Sequence, residues 1–204
     1  MERFRHTLAV MAAAALSLTV AGAEELLNPS FEVNQLGIPG PFNGYRNVFD
    51  AWFYGTWGAE NGLIVTGTQP GSVVPNHGRR MLQVWDDGGT HTQTIQIIEV
   101  PFIYWVMIDT NKGSFQLRAL YNSTAPAAVA VVTARLLTAP QTQSPATSAQ
   151  LTLDNNPSTW QNIKRQGDIP PGTRWIIAEV AFTGPSLGAH PGYVDLVTFE
   201  FIHK

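Results

Sequence analysis

An all-β sandwich or barrel is the fold class this sequence predicts, on three observations. Short alternating or β-branched runs recur along the chain, turn-forming clusters separate them, and no stretch sustains a helical period. The runs are "LIVTG", "RMLQVWD", "HTQTIQIIEV", "IYWVMID", "SFQLRALY", "AAVAVVTARLL", "SAQLTL", "WQNIKR", "RWIIAEVAF" and "YVDLVTFEFI". The separators are "QPGS", "DDGG", "TNKG", "DNNPS", "PPG" and "GAHPG". "AAVAVVTARLL" is the weakest strand of the set, because its alanines also suit a helical turn. "TAPQTQSPATS" reads as a surface loop between strands.

The N-terminus reads as an export signal. "MERFRH" carries arginines, "TLAVMAAAALSLTV" is apolar, and "AGA" supplies small residues for cleavage after Ala23. The apolar run is shorter than the ~20 residues of a spanning helix, and no later run is long and apolar enough to span a bilayer. The expectation is a signal peptide over 1–23 and one domain over 24–204, secreted into an extracellular or periplasmic space. The chain has no cysteine, so a disulfide framework and thiol catalysis are both excluded. A net charge of −3 carries no nucleic-acid footprint.

Period two sorts the side chains by face. In "TRWIIAEVAF", Ile176, Ala178, Val180 and Phe182 oppose Trp175, Ile177, Glu179 and Ala181. In "SFQLRALY", Phe115, Leu117, Ala119 and Tyr121 oppose Gln116, Arg118 and Leu120. In "RMLQVW", Leu82 and Val84 oppose Met81, Gln83 and Trp85. One face is cleanly apolar. The other mixes Trp with Arg, Glu and Gln, as in a sandwich whose outer face is in use.

The order of motifs resembles a known family. "LLNPSFE" is followed by Trp52 in "FDAWFYG", then "HGRRMLQVWDDGGTHTQTIQI", "YWVMIDTNKGSFQLRAL", "STWQNIKRQGDIPPGT" and "GYVDLVTFEF". This succession is similar, over roughly residues 26–202, to the jelly-roll carbohydrate-binding modules of bacterial polysaccharide hydrolases, within the galactose-binding-like sandwiches. The resemblance implies a jelly-roll β-sandwich and a polysaccharide or other glycan as partner. It makes "NPSFE" a first strand whose Phe31 plugs the core and whose Glu32 faces the last strand. It also implies a structural calcium at Glu32 and Asp195. Asp195 shares its parity with Val197, Phe199 and Phe201, and a carboxylate on the core side needs a partner or a metal. The chain has Leu196 where the family usually has a second Asp. The other reading of Asp195 is a strand-edge carboxylate bonded to backbone amides.

Enzyme signatures are absent: there is no G-x-S-x-G, H-E-x-x-H, P-loop or dinucleotide fingerprint. His77, His91, His190 and His203 lack metal-ligand spacing. Asp86 and Asp87 in "DDGG" read as a hairpin turn. "NST" at Asn122 matches a glycosylation sequon that chance also produces. Six tryptophans remain as the strongest functional signal. Trp52 and Trp160 match core positions of the family, whereas Trp57 lies in a loop. Trp85, Trp105 and Trp175 lie opposite the best apolar face, with Gln83, Gln116, Arg118 and Glu179 nearby to bond sugar hydroxyls. The expected function is glycan binding by aromatic stacking, without catalysis. The alternative is a structural or adhesive surface protein that turns the same face to a protein partner.

Overall fold

The computed structural model describes residues 26, 29–32, 36–37, 57–59, 62–84, 91–139, 146–183 and 191–204. Eleven strands appear among them: β1 (Leu36–Gly37), β2 (Trp57–Ala59), β3 (Gly62–Thr66), β4 (Arg80–Val84), β5 (His91–Glu99), β6 (Gly113–Ser123), β7 (Val129–Leu137), β8 (Ala146–Thr152), β9 (Gln161–Asp168), β10 (Trp175–Thr183) and β11 (Gly192–His203). They form a six-stranded sheet in the order β1-β2-β5-β10-β7-β8 and a five-stranded sheet in the order β3-β4-β11-β6-β9. All pairs are antiparallel except β1 with β2. This is one of the two forms, sandwich or barrel, that the punctuated runs predict, and it is the jelly-roll β-sandwich that the resemblance implies.

The face assignments from period two hold. Ile176, Ala178, Val180 and Phe182 of β10 meet Phe115, Leu117, Ala119 and Tyr121 of β6 in one buried cluster between the sheets. Aromatic rings form its spine. Phe115 stacks on Phe199 at 5.6 Å, Phe199 meets Phe201 edge-on at 5.2 Å, and Phe201 stacks on Tyr104 at 4.4 Å. Each buried ring contributes ~1.5–3 kcal/mol by leaving water, and the edge and offset geometries suit the ring quadrupoles. A second, smaller cluster lies on the outer side of the five-stranded sheet. Val65, Val73, Met81 and Tyr193 pack there with half-buried Trp160 against them, whose indole N–H donates to the Val74 carbonyl at 3.0 Å.

Three elements depart from the sequence reading. "IYWVMID" is not a strand: Phe102–Tyr104 is a 3-10 turn that runs into a short helix, α1 (Trp105–Asp109). Its buried residues, Tyr104 and Ile108, are four apart, which is helical spacing. Pro101 starts it, and Asn111 at φ 59° ends it. β-branched composition outweighed this weak period in the sequence. The "NPSFE" segment is likewise not a strand. Pro29 and Ser30 form a turn, and Phe31 reaches the core, fully buried, from a left-handed backbone at φ 57°. Its link to β11 is the Val197 N–H, which donates to the Pro29 carbonyl at 2.8 Å.

The third departure is the parity of Asp195. The pairing of β11 with β6 shifts register between Asp195 and Thr198, with Leu196 at φ 46°. A bulge of this kind puts one extra residue between the inward positions. Val194 and Val197 therefore both belong to the core cluster, and Asp195 lies on the outer side with Tyr193. It is still fully buried, because the loop before β4 closes over it.

Candidate functional site

The residues expected to form one platform lie in three places. Trp57, Trp175 and Glu179 are on the six-stranded sheet, in β2 and β10. Gln116 and Arg118 are on β6 of the five-stranded sheet, across the core from the others. Trp105 is on α1. Trp85, Trp52, the Asp86–Asp87 pair and His190 lie outside the described residues. A single face carrying Trp105, Trp175, Arg118 and Glu179 is therefore not formed. The parity rule sorts inside from outside within a strand, but it cannot say which of two sheets a strand joins.

The outer side of the six-stranded sheet is the most site-like of the three. Register aligns Ile95, Glu179 and Thr133 across β5, β10 and β7, with Ser148 of β8 continuing the row. The next row outward holds Ile97, Ile177 and Arg135, and the one after it Glu99, Trp175 and Leu137. In the opposite direction along the strands, the next row on this same face holds Gln93 and Ala181. Glu179 is 4% exposed and Gln93 9% exposed, among buried Ile95, Ile97 and Ile177. Trp175 and Arg135 are half-buried, while Ser148 and Gln150 on β8 are exposed. The face thus grades from buried carboxylate and amide to open hydroxyl. Polar groups at such positions do not serve the inter-sheet core, which lies on the opposite side of these strands.

Trp105 is held as a structural side chain. Its indole N–H donates to the Val100 carbonyl at 2.9 Å, Phe102 meets its ring edge-on at 5.1 Å, and the Arg174 guanidinium lies 4.4 Å from its centroid. Asp109 fixes that guanidinium with two bonds, 2.7 and 3.1 Å, and also accepts the Gly172 N–H at 2.9 Å. The Arg174 bond, with the Gly172 N–H second, holds the Asp109 carboxyl below its usual range. On the five-stranded sheet, Gln166 donates to Gln116 at 2.8 Å and Arg118 sits opposite Lys164, without an aromatic ring on that row. Asn122 is buried, and its amide donates to the Pro157 carbonyl at 2.8 Å, so the sequon does not present an accessible acceptor.

Glu32 and Asp195 converge on one loop, residues 76–80. Glu32 does not face the last strand as expected. Its Oε1 accepts the N–H groups of Arg79 at 2.8 Å and Arg80 at 2.9 Å, and its own carbonyl accepts from the Arg80 guanidinium at 2.5 Å. Asp195 accepts the His77 N–H at 2.8 Å and the Leu196 N–H at 2.7 Å. Burial pushes its carboxyl up to about 6, against the opposing pull of these amides. Neither Lys nor Arg makes an ion pair with it among the described residues. A buried carboxylate without a cation is an incomplete arrangement that a hard cation would complete. The fit is partial. Among the described residues no three acidic, His or Cys side chains cluster, so carbonyl and water oxygens would have to supply the remaining calcium ligands.

Solved structures share this fold. TmCBM61, solved with β-1,4-galactotriose, matches at TM-score 0.57 and 14% identity, over 89% of this chain and 99% of that one. A putative sugar binding protein from Bacteroides thetaiotaomicron matches at TM-score 0.52 and 10% identity, over 89% and 100%. The enzymatically active domain of tailspike protein 4 from bacteriophage CBA120 matches at TM-score 0.53 and 16% identity, over 88% of this chain but only 21% of that one. No protein-family model and no curated protein matches the chain. The fold is a jelly-roll β-sandwich, as the order of motifs implies.

Proposed function

We propose that this protein binds a poly- or oligosaccharide on the outer side of its six-stranded sheet, without catalysis. The observation that carries the reading is the row through Glu179 and Thr133 to Ser148, with Arg135 in the next row and Trp175 two rows, ~14 Å, along β10. A sugar ring stacks its C–H face on an indole, donates hydroxyl protons to a neighbouring carboxylate and accepts hydrogen bonds from hydroxyl and guanidinium groups. Strands lie ~4.8 Å apart, so the three strands from β10 to β8 span ~10 Å, the scale of a disaccharide. The relation to sugar-binding structures of nearly the same length supports this reading.

Carboxylate spacing supports binding over hydrolysis. Among the described residues the next acid on this face is Glu99, four residues along β5 from the partner of Glu179. At ~3.4 Å per residue that is ~14 Å, beyond the ~5–9.5 Å between the two carboxyl groups of glycosidases. Export with cleavage after Ala23 belongs to the same proposal, and among the described residues no helix is long and apolar enough to cross a membrane. So does calcium at Glu32 and Asp195, supported by the cation-free burial of Asp195. Glycan-array screening of the purified protein tests the function, and hydrolysis of a polysaccharide panel would overturn its non-catalytic part. Mass spectrometry of protein from its native host should find Glu24 as the N-terminus. Intact Met1 in exported material would end the export claim.

A further inference from the structure

We propose a second ligand site: a groove between the end of β3 and the loop before β4 that takes the anionic group of an acidic sugar, a uronate carboxylate or a sulfate ester. The groove has a volume of about 660 Å³, and its lining includes Thr66, Thr68, Val74, Pro75, Arg79 and Arg80. It lies on the five-stranded sheet, whereas Glu179 lies on the other. The inference rests on the sugar-binding reading for its ligand class, and on its own residues for its charge.

Two adjacent guanidinium groups line this groove, and neither makes an ion pair among the described residues. They stand as neighbouring positive charges in a chain of net charge −3. Of the two carboxylates that converge on this loop, Asp195 accepts the His77 N–H, and Glu32 makes no ion pair with the two guanidinium groups. It accepts both of their backbone N–H groups through Oε1. Arg80 is positioned, because its guanidinium donates to the Glu32 carbonyl at 2.5 Å. Arg79 has its backbone clamped on both sides, donating to Glu32 and accepting the Gly67 N–H at 3.3 Å, and among the described residues its exposed side chain makes no hydrogen bond. A guanidinium of this kind suits bidentate recognition of a carboxylate or sulfate.

The rest of the lining suits a sugar. Thr66 and Thr68 offer hydroxyls, and Val74, 49% exposed beside Pro75, offers an apolar edge for a ring face. The wall is rigid. Gly67 and Gly78 turn at φ 66° and 67°, and a Cβ at Gly78 would lie 2.2 Å from Glu32 Oε1. The Val74 carbonyl is tied to the Trp160 indole. A site prepared in this way loses little freedom on binding.

The test is calorimetric titration of the full chain with trigalacturonate, a sulfated carrageenan tetrasaccharide and neutral β-1,4-galactotriose, each in calcium and in chelator. The expected result is binding of at least one anionic probe. Binding should weaken tenfold or more in Arg79→Gln, recover in part in Arg79→Lys, and weaken between 50 and 300 mM salt as a screened ion contact must. Glu179→Gln should leave it intact. The anionic probe that binds identifies the source of the charge. Loss in Glu179→Gln but not in Arg79→Gln would overturn the groove and leave the sheet face standing. An Arg79→Gln variant that binds both anionic probes as the parent does, or a parent that binds neither, would also overturn it. So would anion binding that needs calcium and ignores Arg79, since the ion would then be the ligand's partner.

Discussion

The Arg174 guanidinium lies 4.4 Å from the centre of the Trp105 ring, and Asp109 holds it there with two hydrogen bonds. One ring face, one ring edge and the indole N–H of Trp105 are thereby used inside the protein. Its first role is to close the end of the sandwich where α1 joins β5 to β6.

Trp105→Ala should therefore cost ~2–3 kcal/mol, below the ~3–5 kcal/mol of a fully buried ring because Trp105 is half-buried. Urea denaturation measures this. An unchanged midpoint together with lost glycan binding would return Trp105 to the ligand face.

Asp109 also predicts a pH effect. Its folded-state carboxyl is held below the usual 3.8, so its contribution is complete above 3.8 and is lost as pH falls through the lower folded value. Asp109→Asn should flatten the stability curve in that acid range and lower the melting temperature at neutral pH. A variant with the parent's acid profile would show that the pair does nothing for the fold.

The opposite sign holds at Asp195. Burial raises its carboxyl from 3.8 to about 6, so the chelated protein should lose stability as pH rises from 3.8 through 6. The total is about 3 kcal/mol. Calcium at this site would hold the carboxylate ionised, remove that loss and add its own binding free energy. Denaturation curves between pH 4 and 7, with chelator and with calcium, read both. Identical curves, together with a metal-free elemental analysis, would leave Asp195 as a carboxylate held by backbone amides alone.

Gly192 tests the packing of the core. A Cβ there would lie 2.7 Å from two atoms of the Phe182 ring, and Phe182 is fully buried against Tyr121. Gly192→Ala should cost ~1–3 kcal/mol by overpacking. A neutral melting curve would mean that this end of the core yields easily.

Much of the fold was legible because burial in a sandwich is written at period two. Ile176 through Phe182 and Phe115 through Tyr121 face the core as their alternation requires. Parity failed where the backbone breaks its period, at the bulge beside Asp195 and in the helical turns around Tyr104 and Ile108. The site was less legible. Gln116 and Trp175 have equivalent outward parity, yet they lie on different sheets, and only long-range pairing decides that. Arg79 and Arg80 carried a signal in "HGRRML": two basic residues after a glycine turn. That neither forms an ion pair among the described residues, which gives them meaning, appears only once the chain is folded.

The central claim is tested most directly at Glu179. The purified protein and its Glu179→Gln variant should be titrated with the glycan that an array selects. Prediction and contradiction differ cleanly. The parent should bind with a dissociation constant of ~1 μM to 1 mM, and the variant should lose that binding at an unchanged melting temperature. An array that retains no glycan, or a variant that binds as the parent does, would contradict the account.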